Sequence, residues 1–363
     1  MAPGGDAGGA PAAAPGPGDR ARLFSILSSP WVAQSCYALA KFGIPDLMAD
    51  GPREVADLAS ASGTDRRALH RMLRALTSAG LVRQTAPGTF ELTPVAQPLR
   101  AGVARSSRDA AIMFGEEVFR SLADITYTLR TGRPAFDKVY GQPFYDYLAD
   151  NPDAAQTFST AMGAAPVPPA LAACDLTGVR TVVDVGGGNG GLLSWVLRAQ
   201  PQARGVLFDL PPAVLQARSR LAGTDVADRA EFVEGSFFDA MPAGADLYVL
   251  SRVLHNWPDD EAATVLRRIR DAIAGDGRLI VLEELIESGG PAAGAGRSGQ
   301  PQAAGSAGGS VMDLLILVML AGCDRSEAEY RELLGRAGFA VTAVRQAPLR
   351  ARQAESAIEA TPG

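Results

Sequence analysis

At 363 residues, with 47% of positions apolar and 20% charged, the chain is long enough for two domains of ordinary globular composition. A formal net charge of −6 argues against nucleic acid or an anionic membrane as the main partner. Cys36, Cys174 and Cys323 are odd in number and far apart, so no disulfide framework and no metal site are expected, and a reducing, cytoplasmic setting fits.

Residues 1–19 are rich in Pro, Gly and Ala and lack the basic start and apolar core of a secretory signal; a disordered arm is expected. The longest apolar run, Val311 to Gly322, is too short to span a membrane. Residues 20–42 read as a helix stopped by Gly43, with Leu23, Ile26, Leu27, Trp31 and Cys36 among its apolar positions. A second helix is predicted from Pro52 to Gly63. A third follows with Thr64 as its cap and Leu69, Leu73 and Leu76 at helical spacing. LVRQTAPGTFELT then reads as two short strands about a Pro/Gly turn, which makes residues 20–100 a winged-helix pattern.

Residues 101–175 are predicted to be mostly helical. From Val179 the segments TVVDVGGG, ARGVLFDL, AEFVEGSF, ADLYVLSRV and GRLIVLEELI are apolar strands separated by helical stretches. That alternation predicts a Rossmann-like α/β domain over 176–350, its parallel sheet covered on both faces. Residues 288–310 are Gly/Ser/Ala-rich and read as a flexible loop, and 351–363 as a disordered tail.

Two places carry chemistry. Gly186, Gly187, Gly188 and Gly190 follow a hydrophobic strand and open a helix, and Asp209 ends the next strand, nineteen residues after Gly190. A glycine loop lets backbone approach a ligand, and a carboxylate at that strand end can accept from both ribose hydroxyls. The spacing G-x-G-x-G differs from the dinucleotide pattern, so an adenosyl ligand without a pyrophosphate fits better. A structural turn beside a surface Asp is the plainer alternative. The second place is His255, just past the C-terminal end of the Leu250 strand, where an imidazole could take a proton from a hydroxyl near neutral pH. Glu283 and Asp324 are candidates to orient it, although such acids more often remain solvated surface charge.

VVDVGGGNG, FDLP, EGSFFD, VLHNWPDDEA, LEE and the closing DRS..EY..LL..AGF, with TGRPAF and PFYDYLADNP upstream, resemble one family in the right order from about Ala21 to Val344. It is that of the small-molecule O-methyltransferases of the plant caffeic-acid type and their actinobacterial natural-product relatives. The resemblance implies an N-terminal winged-helix domain used for homodimerisation, a helical region 101–175 contributing to the substrate pocket, and S-adenosylmethionine as cofactor. It implies Gly186, Gly187 and Gly188 at the methionine part, Asp209 at the ribose, Ser236 and Phe237 at the adenine, and Ser251 nearby. It implies His255 as base flanked by Glu283 and Asp324, and Phe158 and Met162 as packing positions. Asn256 stands where many members have Asp, Ser236 where Asp is frequent, and Asp324 where Glu is usual.

The apolar helix carrying Met312, Leu315 and Met319 is a candidate pocket wall for a flat aromatic, as is Asn256 beside the base; plain core packing explains the apolar residues equally well. The leading expectation is therefore methylation of a hydroxyl on a small aromatic natural product. Hydroxylation or decarboxylation on the same fold, or N- or C-methylation, stays open. A DNA-binding regulator using Arg66, Arg67, Arg71 and Arg74 of the third helix is the reading from another class, and the acidity of the chain opposes it.

Overall fold

The computed structural model describes residues 16–163, 167, 169–286, 310–346 and 355–363. The described residues form two compact units divided between Ala101 and Gly102. No helix among them is long and apolar enough to cross a membrane.

In the first unit, α1 (Pro17–Lys41) begins inside the expected disordered arm. Asp19 accounts for this: its carboxylate accepts from Gly16 N at 2.9 Å and closes the first turn. The rest of that arm, residues 1–15, lies outside the described residues. Leu23, Phe24, Ile26, Leu27 and Trp31 of α1 are each more than half exposed, so the helix presents a long apolar stripe. After α2 (Ile44–Leu47) the chain stays extended as β1 (Arg53–Glu54), because Arg53 and Glu54 pair with Phe90 and Thr89. The second predicted helix therefore starts at Val55 rather than Pro52, as α3 (Val55–Ser62). The cap of α4 (Arg66–Ser78) is Asp65, whose side chain accepts from Ala68 N at 2.7 Å; Thr64 bonds Ser62 instead. The helix buries Leu69, Leu73 and Leu76 and turns its arginines outward. β2 (Val82–Ala86) and β3 (Thr89–Leu92) form the expected hairpin, and the sheet order is β1-β3-β2.

The second unit opens with short helices: α5 (Arg108–Met113), a wider π turn over Phe114–Val118, α6 (Phe119–Ala123), α7 (Ile125–Thr131), α8 (Ala135–Tyr140), α9 (Phe144–Asp150) and α10 (Pro152–Gly163). Alternating strands and helices follow: β4 (Thr181–Val185), α11 (Gly191–Ala199), β5 (Arg204–Asp209), α12 (Pro211–Leu221), β6 (Ala230–Glu234), β7 (Leu247–Ser251), α13 (Asp259–Ala272) and β8 (Arg278–Ile286). After α14 (Ser310–Met319) come β9 (Arg325–Ser326), α15 (Glu327–Arg336), β10 (Phe339–Gln346) and β11 (Glu355–Pro362).

The main sheet runs β10-β11-β8-β7-β4-β5-β6, with β9 pairing alongside β8. The β8-β7-β4-β5-β6 block is parallel, and β11 is antiparallel to both its neighbours. β11 corrects the expected disordered tail for Glu355–Pro362. Ala357, Ile358 and Ala360 are fully buried there, and Glu355 before them and Glu359 among them find arginine partners in Arg252 and Arg345. Those glutamates hid the strand, since a buried strand usually reads as an apolar run. Residues 351–354 and 287–309, which include most of the predicted loop 288–310, lie outside the described residues. Separate apolar clusters cover the two faces of the sheet. The chain order runs outward through β5 and β6 on one side of β4 and through β7 and β8 on the other. The switch point, where ligands sit in such sheets, therefore falls at the C-terminal ends of β4 and β7.

Candidate active site at the switch point

At the end of β4 the chain turns at Gly186, whose φ of 68° lies in the left-handed region; a Cβ there would also press on Val253. Gly188 N donates to Asp209 Oδ2 at 2.8 Å, and Leu210 N donates to Oδ1 at 2.7 Å. The predicted pair, glycine loop and strand-end carboxylate, is thus in direct contact. Behind the loop Asp184 is almost fully buried and accepts from Leu193 N at 3.1 Å. Burial, and then the charge of Asp209, push its pKa up to about 7 despite that hydrogen bond. Burial likewise raises the Asp209 carboxyl above the usual range, against the two backbone N–H groups that lower it.

Phe237 lies against Gly186 and sets its ring edge-on to Trp257, with centroids 5.9 Å apart. Ser236 Oγ accepts from Phe238 N at 3.2 Å. Ser251 is the half-buried last residue of β7. Asn189, in the glycine loop, reaches Gly163 at the end of α10. Backbone N–H groups, the Asp209 carboxylate and the Phe237 ring thus gather at one end of the parallel strands. That donor set fits an adenosyl group: a carboxylate for ribose hydroxyls, backbone approach at the glycines, and an aromatic face for a base.

Beyond β7, Arg252 adopts φ 55°, a sparsely populated conformation for a side chain of its size. The chain then makes a tight turn, Leu254–Asn256, that presents His255. His255 Nδ1 lies 3.3 Å from Glu283 Oε2 and 3.4 Å from Asp324 Oδ1. Sequence separation gave no such proximity; β8 and the Gly322–Arg325 segment bring the two acids together. Glu283 is fully buried, and its other oxygen accepts from Leu254 N at 3.0 Å and His255 N at 3.3 Å. Burial is the strongest influence on the imidazole and lowers its pKa. Glu283 and Asp324 together outweigh it, Arg252 opposes them, and the net displacement is upward from the ordinary value. Burial raises the Glu283 carboxyl, with His255 pulling the other way. With Nδ1 facing two acids, Nε2 is the nitrogen left to meet an incoming proton.

Asn256 Nδ2 donates to Tyr145 Oη at 2.9 Å, and the Tyr145 ring stacks on Trp257 with centroids 5.4 Å apart. Burial raises the Tyr145 phenol well above its usual range. Phe158 sets its edge on Phe144 at 5.2 Å, in an apolar cluster that also takes in Tyr145, Leu315 and Met319. Met319 is buried in that cluster, whereas Met162 and Met312 are exposed and stand outside it. Tyr145, Asp184, Arg252 and Arg325 were missed by sequence reasoning. Tyr145, Asp184 and Arg325 each lay within a motif (PFYDYL, VVDVGGGNG and DRS), but nothing local in those motifs showed what the side chains would touch.

Comparison with known proteins gives a consistent result. Residues 119–340 match the O-methyltransferase domain family and residues 24–101 the O-methyltransferase dimerisation domain family. The chain is 38% identical over 325 residues to a phenazine O-methyltransferase of Lysobacter antibioticus, covering 89% of this chain and 91% of that one. It is 37% identical to an 8-amino-8-demethylriboflavin N,N-dimethyltransferase of Streptomyces davaonensis, covering 90% and 92%. Among solved structures, an O-methyltransferase from neocarzinostatin biosynthesis, in complex with S-adenosylmethionine and 2-hydroxy-5-methyl naphthoic acid, superposes with a TM-score of 0.74 at 33% identity. It covers 92% of this chain and 96% of that one.

Proposed function

Since the chain belongs to the S-adenosylmethionine-dependent O-methyltransferases, we propose that it methylates a phenolic hydroxyl of a small planar aromatic compound, with His255 as general base. The observation that carries this reading is the imidazole held at Nδ1 between Glu283 and Asp324 at the sheet's switch point.

Gly186, Gly187 and Gly188 would face the methionine part of the cofactor, Asp209 the ribose, Ser236 and Phe237 the adenine, with Ser251 beside them. When bound, S-adenosylmethionine would supply a methyl carbon on a sulfonium for in-line displacement by the acceptor oxygen, with neutral S-adenosylhomocysteine as the leaving group. His255 Nε2 removes the hydroxyl proton. Phenols ionise near pH 10, so at neutral pH this assistance raises the fraction of nucleophilic oxygen at the moment of transfer. Glu283 and Asp324 orient the ring and stabilise the imidazolium that results. Phe158, Leu315, Met319 and Tyr145 form the apolar wall for a flat ring, with Asn256 holding the Tyr145 hydroxyl; Met162 and Met312 would contribute at its edge. The exposed stripe of α1, within the dimerisation domain, supports a homodimer built on the N-terminal unit.

N-methylation is the second reading, supported by likeness to the riboflavin-type N,N-dimethyltransferase. The buried carboxylate pair behind His255 favours the hydroxyl, because an aromatic amine is already nucleophilic and needs no base before attack. The test is mass spectrometry of reactions with isotopically labelled S-adenosylmethionine and paired hydroxy- and amino-substituted phenazines and naphthoic acids. Label on oxygen, lost in His255→Ala, is expected. Label on nitrogen alone, indifferent to His255, would overturn the hydroxyl reading.

A further inference from the structure

Beside the site lies a side chain that the mechanism above does not use. Arg325 is 2% exposed, and its guanidinium is spent on backbone: Nη1 donates to Leu254 O at 3.0 Å and Nη2 to Trp257 O at 2.8 Å. Those carbonyls bracket His255 and Asn256. Nε donates to Asp259 Oδ1 at 2.9 Å, Nη1 also reaches Cys323 O at 3.4 Å, and the group lies 5.8 Å from the Tyr330 ring centre. Its neighbour Asp324 faces His255 Nδ1, and Gly322 runs so close to the backbone of His255, Asn256 and Trp257 that a Cβ would overlap it. Glu283 grips the same turn from the other side, through the N–H groups of Leu254 and His255.

We propose that Arg325 is a positioning residue: its planar fork fixes the carbonyls on either side of His255 and so holds the imidazole in line with its two carboxylates. The proposal rests on His255 being the base. Burying a guanidinium is costly unless every donor is matched, and apolar packing would fill this space at lower cost. The structure instead matches the fork to carbonyls three residues apart, Leu254 and Trp257, a geometry that a lysine's single ammonium cannot reproduce. Asp259, on the exposed side, completes the arrangement by aligning Nε.

The experiment uses the full chain with Arg325→Lys and, separately, Asp259→Asn, which alters only the surface-facing partner. Because His70 and His255 are the only histidines, the imidazole titration of His255 can be followed by NMR, with His70→Gln for assignment. Glu283, Asp324 and Arg252 are the charged groups facing it. In Arg325→Lys, kcat for a phenolic acceptor falls about 10–100-fold, as a displaced catalytic group should give. KM and the affinity for S-adenosylhomocysteine stay unchanged, and the His255 titration moves down toward that of a free imidazole. Asp259→Asn gives a smaller loss in the same direction. If both variants, or Asp259→Asn alone where the lysine variant does not fold, keep kcat and the His255 titration whatever happens to Tm, the fork is packing and the proposal is wrong. Should wild type methylate no hydroxyl acceptor, the NMR titration still decides the role of Arg325 while the base reading fails separately.

Discussion

His255 Nδ1, in the turn beyond β7, and Glu283 Oε2, on the adjacent parallel strand β8, lie 3.3 Å apart, with the carboxylate fully buried behind the ring. A buried acid at that distance fixes the ring and leaves the opposite nitrogen free for the base role proposed above. Replacing His255 by Ala should therefore lower kcat by about 10²–10⁴-fold, the usual contribution of general-base catalysis, with little change in cofactor affinity. Steady-state kinetics beside calorimetry with S-adenosylhomocysteine checks both halves.

The pH dependence follows from the same pair. The base must be neutral to act, and its pKa lies above the ordinary histidine value, so kcat should rise with pH through a point above about 6.5. Glu283→Gln removes the leading upward influence, and burial then pulls the imidazole down. The rising limb of the profile should move to lower pH, with a lower plateau because the imidazolium loses its partner. A limb that stays in place in this variant would mean that another group is titrating.

Asp184 gives a stability prediction of opposite character. Its folded pKa, raised to about 7, exceeds an unfolded value of about 3.9, so the folded state holds the proton more tightly. The associated stability is fully present below the unfolded value and is lost as pH rises through the folded one. Asp184→Asn keeps an acceptor for Leu193 N and removes the titration. Thermal unfolding of the variant should thus lose less Tm between mildly acidic and mildly alkaline buffer than wild type does, a difference of about 4–8 °C per kcal/mol at the upper limit for small domains and less here.

Asp209 accepts from Gly188 N and Leu210 N through separate oxygens, and in the proposed function it takes the ribose hydroxyls. Asp209→Ala should weaken S-adenosylhomocysteine binding about 10–100-fold, the magnitude of losing hydrogen bonds to a charged acceptor. Asp209→Asn, which retains one acceptor oxygen, should lose less. Equal affinity in all three proteins by calorimetry would remove the carboxylate from the cofactor site.

Gly322 touches the backbone of the His255 turn where a Cβ would overlap main-chain atoms that cannot swing away. Gly322→Ala should destabilise the protein by about 1–3 kcal/mol, as overpacking does, and reduce kcat more than cofactor affinity because the turn itself must shift. Denaturant unfolding and kinetics on the same preparation separate the two effects.

The parallel sheet, the glycine turn and Asp209 were legible in the sequence because each depends on local pattern: apolar runs, strand–loop–helix order and a fixed offset. The winged-helix hairpin was readable for the same reason. β11 was not, since its burial depends on Arg252 and Arg345 neutralising glutamates that look like surface charge. The meeting of Glu283 and Asp324 at one nitrogen was only nominated, because β8 and the Gly322–Arg325 segment meet through tertiary packing. Arg325 lay in the DRS motif, but its role was not legible, because its main partners are the Leu254 and Trp257 carbonyls, which carry no sequence signal. Tyr145 lay within a motif, but its bond to Asn256 spans 111 positions.

The most direct test is the single-turnover rate of methyl transfer to a phenolic acceptor, compared between wild type and His255→Ala across the pH range. The wild-type rate should be governed by a group titrating above the ordinary histidine value, and the variant should be slower and follow only the ionisation of the acceptor itself. Coincident profiles for the two proteins would contradict it and leave positioning alone as the source of catalysis.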